Sequence, residues 1–243
     1  MIKARLSSGQ KTVVLGQGSA KGVDAEVEFS PERYGLSIRN QIRERQDIPR
    51  DAYVIGYVGR IVKDKGMREL AGAWSSLRNK YTNLHLLLVG PMESEDKLLA
   101  EDDALFRSDP RIHLTGYQKE VAPFYAAMDL FVMPSYREGF GLTNIEAAAM
   151  QLPVISTLIP GCIDSVKDGF TGTLVPARST PELITAIERY MNNPELGREH
   201  GSAGRKRVLL DFSQEDVWEG LFKEYVHLLS KKGMNVAVAR QAK

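Results

Sequence analysis

With 243 residues, 43% of them apolar and 26% charged, the chain has ordinary globular composition and can bury one sizeable core or two small ones, so a single large α/β unit is expected. Its 32 basic and 31 acidic residues leave a net charge of +1, which gives no overall field for nucleic acid or a membrane surface; any phosphate site must be local. One cysteine, Cys162, excludes an internal disulfide and a cysteine-based zinc site and fits a reducing compartment, and His85, His113, His200 and His227 lack metal-ligand spacing.

The opening MIKARLSSGQK lacks the apolar region of a signal peptide, and no apolar run approaches the roughly 18 residues of a membrane span, so the cytoplasm is the expected location. The first predicted strand, TVVL (12–15), runs into a glycine cluster, VVLGQGSAKG (13–22). Glycines 16, 18 and 22 do not match G-x-G-x-x-G, and no acidic ribose ligand follows at the expected distance, so this is a poor dinucleotide fingerprint. A turn where backbone approaches phosphate stays open. The charged segment 32–50 predicts a surface helix that leads into the next strand.

From there, short apolar runs alternate with helical patterns, the signature of a parallel sheet covered by helices on both faces. The strands are YVIGYVG (53–59), LHLLLVG (84–90), RIHLTG (111–116), LFVMPS (130–135) and PVIST (153–157). Their nearly continuous Val, Ile and Leu fits strands buried on both faces. Helices are predicted over 66–80, 95–106, 121–127, 142–150 and 181–192, the last capped by Thr180 with Pro181 where a backbone donor has no partner anyway. The tail 194–231 is helical by period, with SQED (213–216) as the first turn of the last helix; no internal repeat is present, and GMNVAVARQAK has no evident partner.

In an open parallel sheet, ligands bind beyond the carboxyl ends of the strands. After YVIGYVG, Arg60 and Lys65 can converge on one anion, with Gly59 ending the strand tightly and Gly66 opening the next helix; a solvated basic turn is the plainer reading. After LFVMPS comes REGFGLTNIEAAAMQLPVIS (137–156). Gly139 and Gly141 separate Glu138, in a loop, from Glu146, in the second turn of a helix beginning near Leu142. The N–H groups of Gly141, Leu142 and Thr143 would then form an anion site at a helix N-terminus. Two carboxylates beside a phosphate would repel it unless they contact neutral neighbours such as sugar hydroxyls, which points to a nucleotide sugar. The alternative is one glutamate favoured by the helix dipole and another on a wet face.

The blocks GYVGRIVKDKG, LLLVGPMES, RIHLTGYQKEVAPFYAAMDLFVMPSYREGFGLTNIEAAAMQLPVIST and VKDGFTGTLVPARSTPELITAI resemble the donor-binding half of retaining glycosyltransferases of family 4. The resemblance runs from about Thr12 to Tyr225, with E-x7-E at Glu138 and Glu146 as its most specific element. It implies the C-terminal half of a GT-B fold, a Rossmann-like doubly wound parallel sheet with C-terminal helices, so that 1–243 is one donor-binding domain. By this resemblance Arg60 and Lys65 grip the nucleotide diphosphate, Glu146 meets the ribose hydroxyls, and Glu138 faces the transferred sugar. Phe140, Gly141, Leu142 and Thr143 present backbone amides to sugar and phosphate. Tyr117 to Val121 hold the base, and Gly16, Gly18, Gly59 and Gly90 border the donor. As the glycosidic bond breaks, Arg60, Lys65 and the helix amides bind the growing diphosphate charge more strongly.

The resemblance further implies no metal and no cofactor, a UDP-sugar donor, an acceptor glycan or lipid-linked sugar, and a parent enzyme peripheral at the inner face of a membrane. By the same resemblance an N-terminal acceptor domain is expected to be missing from this chain, which should bind a donor yet transfer poorly alone. Two departures stand out: Gln151 replaces the usual glycine before PVI, so the helix should end on a left-handed non-glycine residue, and PGCIDSVKDG carries Cys162 and Asp164 where a glycine and a Pro-Glu pair are usual. Cys162 reads as a packing residue. Other readings are a nucleotide-sugar epimerase or a phosphorylase of the same architecture, whose acid/base groups or lysine-bound pyridoxal phosphate have no signal here, and a binding module without turnover.

Overall fold

Runs of Val, Ile and Leu too short to make helices become strands that are covered from both sides. A computed structural model describes residue 14 and residues 17–19, 21–93 and 96–234. Its sheet comprises β1 (Tyr53–Val58), β2 (Leu84–Val89), β3 (Ile112–Leu114), β4 (Leu130–Met133), β5 (Val154–Thr157) and β6 (Thr173–Val175), all parallel, in the order β3-β2-β1-β4-β5-β6. β1 and β2 pair along their whole length, from Tyr53 opposite Leu84 to Val58 opposite Val89. This is a Rossmann-like doubly wound sheet, as expected.

The helices are α1 (Leu36–Arg45), α2 (Met67–Leu77), α3 (Ala100–Ser108), α4 (Ala122–Ala126), α5 (Leu142–Ala149), α6 (Cys162–Ser165), α7 (Thr180–Asn192), α8 (Pro194–Asp211) and α9 (Gln214–Lys231). Alternate strand residues point to opposite faces. Ile55 and Tyr57 of β1 join Met67, Leu70 and Trp74 of α2 and Leu183 and Ile187 of α7 in one core. Val54 and Val58 join Ile42 of α1, Tyr125 of α4, Ile145 of α5 and Val208 of α8 in the other. Among the described residues, no helix is long and apolar enough to cross a membrane.

Several expectations need correction. The predicted strand 12–15 falls almost wholly outside the described residues, as does most of the final GMNVAVARQAK. β6 leaves no signal in the sequence: it is three residues long and partly exposed along two of them, too short for a period-2 pattern. α3 begins at Ala100 rather than near 95, with Leu99 as its N-cap. α7 is capped at Ser179 without a side-chain bond. Thr180 instead packs against α2, where a Cβ on Gly72 would lie 3.0 Å from its methyl. The periodic tail is two helices, with the Asn193 side chain accepting from Leu196 N and Ser213 Oγ accepting from Asp216 N at 3.1 Å. Gln151 does take the left-handed conformation, at φ 60°.

The segment 32–50 is more than a surface helix, because Arg43 on α1 is fully buried. Its guanidinium donates to the carbonyls of Ala127, Arg50 and Ala52 at 2.8–3.0 Å and to Asp129 Oδ2 at 2.8 Å. Asp129 Oδ2 also accepts from Val54 N at 2.7 Å, and Asp129 Oδ1 accepts from Arg39 at 2.5 Å. One carboxylate thus ties α1 to the start of β1 and the start of β4.

Two buried histidines on neighbouring strands make the fold sensitive to acid. His85 Nδ1 and His113 Nε2 lie 2.9 Å apart with their rings stacked. Burial, then the neighbouring His113 and Arg111, push His85 down to about 4, and burial lowers His113 as well. Both are therefore neutral in the folded chain at pH values where an unfolded histidine, near 6.5, begins to charge. Their contribution to stability is complete above about pH 6.5 and is lost as pH falls towards 4. Thermal melts should show Tm dropping several degrees between pH 7 and pH 5, and His113→Asn should flatten that slope; an unchanged slope would remove the pair from the acid response.

Candidate functional site

In the observed strand order the sheet reverses direction of growth between β1 and β4, and a crevice opens beyond the carboxyl ends of these two strands. On the β1 side, Gly59 and Gly90 sit in close contact: a Cβ on Gly90 would come within 1.9 Å of the Gly59 carbonyl oxygen. Tyr57 donates its hydroxyl to the Arg60 carbonyl at 2.7 Å, fixing the turn that follows. A 3-10 turn at Lys63–Lys65 then leads to Gly66, left-handed at φ 70°, whose missing side chain makes room for the Pro134 carbonyl beyond β4.

On the β4 side the chain is pinned before it turns. Tyr136 N donates to the Asp64 carbonyl at 2.9 Å, Thr157 Oγ1 to the Ser135 carbonyl at 2.6 Å, and Ser135 Oγ to the Arg137 carbonyl at 3.0 Å. Glu138 lies in the loop, as predicted, and Gly141, left-handed at φ 70°, opens α5. Gly161 backs this loop so closely that a Cβ there would lie 2.7 Å from the Glu138 carbonyl oxygen. The PGCIDS segment is thus a support for the glutamate loop. Cys162 is fully buried, and burial raises its thiol pKa, consistent with packing.

Asn144, which carries no local signal in the sequence, anchors α5, donating Nδ2 to Ser156 Oγ at 3.0 Å and to Ser165 Oγ at 2.9 Å. Among the described residues, no acceptor meets the N–H groups of Gly141, Leu142 and Thr143, which open the helix.

The crevice is a cavity of about 560 Å³, and eight predicted residues line it: Gly18, Gly59, Lys65, Glu138, Phe140, Gly141, Leu142 and Thr143. Tyr57, Val58, Met133 and Gly139 complete it. Lys65 Nζ donates to Glu138 Oε1 at 2.6 Å and to the Arg137 carbonyl at 3.2 Å. Gly18, across the cavity, is left-handed, with its Cβ position 3.9 Å from the Phe140 ring. Phe140 also packs edge-on against Phe212 at the end of α8, with ring centroids 5.5 Å apart, so it anchors the loop as well as lining the cavity.

The remaining predicted residues sit elsewhere. Arg60 and Lys65 do not converge, because each is held by its own carboxylate: Arg60 Nη1 donates to Glu93 Oε2 at 2.8 Å in an exposed pair outside the cavity lining. Gly90 serves the close approach of β1 and β2. Tyr117 is exposed, and Val121 is half-buried against the core beside α4. Gly16 lies outside the described residues.

Glu146 stands in the second turn of α5, buried and not among the residues that line the cavity. Tyr125 donates its hydroxyl to Glu146 Oε2 at 3.0 Å, and Lys21 Nζ lies 3.9 Å from Glu146 Oε1. Burial raises the pKa of this carboxyl, opposed by the Tyr125 hydrogen bond and the Lys21 charge. Among the described residues, no group of three or more His, Cys, Asp or Glu side chains is placed to hold a metal ion.

A site with a cation, a carboxylate and a helix N-terminus at the switch point of a doubly wound sheet is suited to a phosphorylated ligand carrying hydroxyl groups. Residues 52–193 match the family of glycosyl transferases group 1. The chain belongs to this family. It is 36% identical over 226 residues to the capsular polysaccharide biosynthesis glycosyltransferase CapM of Staphylococcus aureus, covering 93% of this chain and 58% of CapM.

Among solved structures, the C-terminal domain of the group 1 glycosyl transferase LpcC from Francisella tularensis is 27% identical with a TM-score of 0.67, covering 79% of this chain and 99% of that domain. Anabaena HepE, solved with UDP-glucose, shares the fold at 18% identity and a TM-score of 0.74, over 82% of this chain and 55% of HepE. The chain spans about half the length of the curated relatives it matches. Its sheet is that of a GT-B glycosyltransferase, and its likeness is to the C-terminal half.

Proposed function

We propose that this group 1 family member is the donor-binding half of a retaining family 4 glycosyltransferase that takes a UDP-sugar, and that the acceptor-binding half is the part of the relatives this chain does not cover. The observation that carries the reading is the convergence of Lys65, Glu138 and the open N-terminus of α5 on one cavity. Lys65 and the amides of Gly141, Leu142 and Thr143 bind the diphosphate, and Arg60 joins them by exchanging Glu93 for phosphate. These groups gain strength as negative charge develops on the leaving diphosphate. Glu138 orients the sugar, Glu146 accepts from the ribose hydroxyls, and Tyr117 to Val121 border the base. No metal is needed where a lysine, an arginine and a helix N-terminus carry the charge. HepE's UDP-glucose complex favours uridine, and CapM's role favours a surface polysaccharide or its lipid-linked precursor as acceptor.

The test is a thermal-shift panel of UDP, GDP and ADP with their sugars. UDP and one UDP-sugar should raise Tm most, by several degrees at saturating ligand. Glu146→Ala and Arg60→Ala should each weaken UDP binding in calorimetry by roughly 1–3 kcal/mol. A folded chain stabilised by none of these nucleotides would overturn the reading.

A further inference from the structure

Tyr125 lies on α4, four residues beyond Val121, and is completely buried between Phe29 and Phe131, with ring centroids 6.0 and 5.6 Å away. A tyrosine this deep leaves its hydroxyl without water, so the hydroxyl must find a protein partner. It donates to Glu146 Oε2 at 3.0 Å. The other carboxylate oxygen, Oε1, has a different neighbour, the exposed Lys21 at 3.9 Å, too far for a hydrogen bond. The two oxygens of Glu146 are therefore unequal: Oε2 is committed to the core, and among the described residues no hydrogen-bond donor meets Oε1.

We propose that Tyr125 is a positioning residue for Glu146, holding Oε2 in the core so that Oε1 is presented to a vicinal diol, with Lys21 supplying the opposing charge above it. This rests on the reading of Glu146 as the ribose-side carboxylate. A carboxylate that accepts from two adjacent hydroxyls must be charged and cannot rotate freely, and burial works against the first of these. The tyrosine hydroxyl and the lysine counter that cost from opposite sides. Glu28 is the other charge acting on the group, and it disfavours the ionised form. Because α4 starts at the end of the segment assigned to the base and carries Tyr125 one turn later, a single short helix sets both base and ribose contacts.

Tyr125→Phe keeps the ring and removes the donor. With the nucleoside diphosphate that stabilises the chain most, UDP on the reading above, calorimetry should show affinity reduced about tenfold, as for a hydrogen bond to a charged group. Preference for UDP over 2′-deoxy-UDP should narrow, and the fall in affinity on acidification should begin at higher pH, since Glu146 loses a group that favours its charged form. In a Glu146→Gln background, Tyr125→Phe should add little. Lys21→Met, on an exposed side chain, should move the same pH profile in the same direction and serves where Tyr125→Phe does not fold.

If Glu146→Ala abolishes the ribose preference while Tyr125→Phe and Lys21→Met keep the parental preference and pH profile, the positioning role is wrong and the site assignment stands. If Glu146→Ala itself leaves UDP affinity and preference unchanged, the ribose reading fails, and the proposal with it.

Discussion

Asp129→Ala should destabilise the chain by about 3–5 kcal/mol, the cost of leaving a buried charge without its partner. Arg43 is fully buried, and Asp129 is the carboxylate that neutralises it. The same carboxylate accepts from Val54 N and from Arg39, so the substitution also leaves a backbone donor at the start of β1 without its acceptor and Arg39 without its carboxylate. Asp129→Asn keeps an acceptor but no charge, and should fall between. The converse change differs in kind: without Arg43, the carbonyls of Arg50 and Ala52 lose their donor, while no charge is stranded. Urea unfolding followed by circular dichroism measures the difference as a lower midpoint at unchanged slope. A loss below about 1 kcal/mol in Asp129→Ala would show that Arg43 finds other compensation.

That cluster also marks where sequence stops being informative. Arg43 sits in a run of charged residues whose local pattern is that of a wet helix, yet all five hydrogen bonds of its side chain go to groups beyond the helix. The strands were legible because a buried parallel strand leaves an unbroken apolar run, as in LHLLLV, while β6, at an edge and three residues long, leaves none.

At the site, the glycines and the E-x7-E spacing placed Glu138 in a loop and Glu146 on a helix, because φ above zero and helix phase are local properties. The Lys65 to Glu138 pair spans 73 residues, and the Tyr125 to Glu146 bond joins a residue that reads as ordinary core to one that reads as polar. Neither has a local signature. The separation of Arg60 from Lys65 was hidden for the same reason: Glu93, which holds Arg60, belongs to the turn after a different strand.

Lys65→Ala should weaken UDP binding by more than the loss of one charged hydrogen bond, on the order of 100-fold or greater, because it acts twice. It removes a cation from the cavity, and it leaves Glu138, whose side chain is largely covered, as an unpaired negative charge beside the site. Two unit charges about 4 Å apart at a partly buried site repel by roughly 4 kcal/mol before salt screening, so even a more distant phosphate would feel the unpaired carboxylate. The Lys65→Ala, Glu138→Ala double variant should therefore bind UDP more tightly than Lys65→Ala alone, by about tenfold if a little over 1 kcal/mol of repulsion is relieved.

Glu138→Ala by itself separates the two roles further. Freed of its carboxylate, Lys65 can turn wholly to phosphate, so UDP should bind as well as before or better, while a UDP-sugar loses the group that orients its sugar and should bind less well. Isothermal titration of the four chains with UDP and UDP-glucose gives the complete cycle. Equal UDP affinities for Lys65→Ala and the double variant would mean that Glu138 does not face the phosphate, and an equal loss of UDP and UDP-glucose in Glu138→Ala would place it on the nucleotide rather than on the sugar. On the proposed reading, a carboxylate that restrains the cation until a sugar displaces it would link donor recognition to the charge that stabilises the leaving group, within a single ion pair 2.6 Å long.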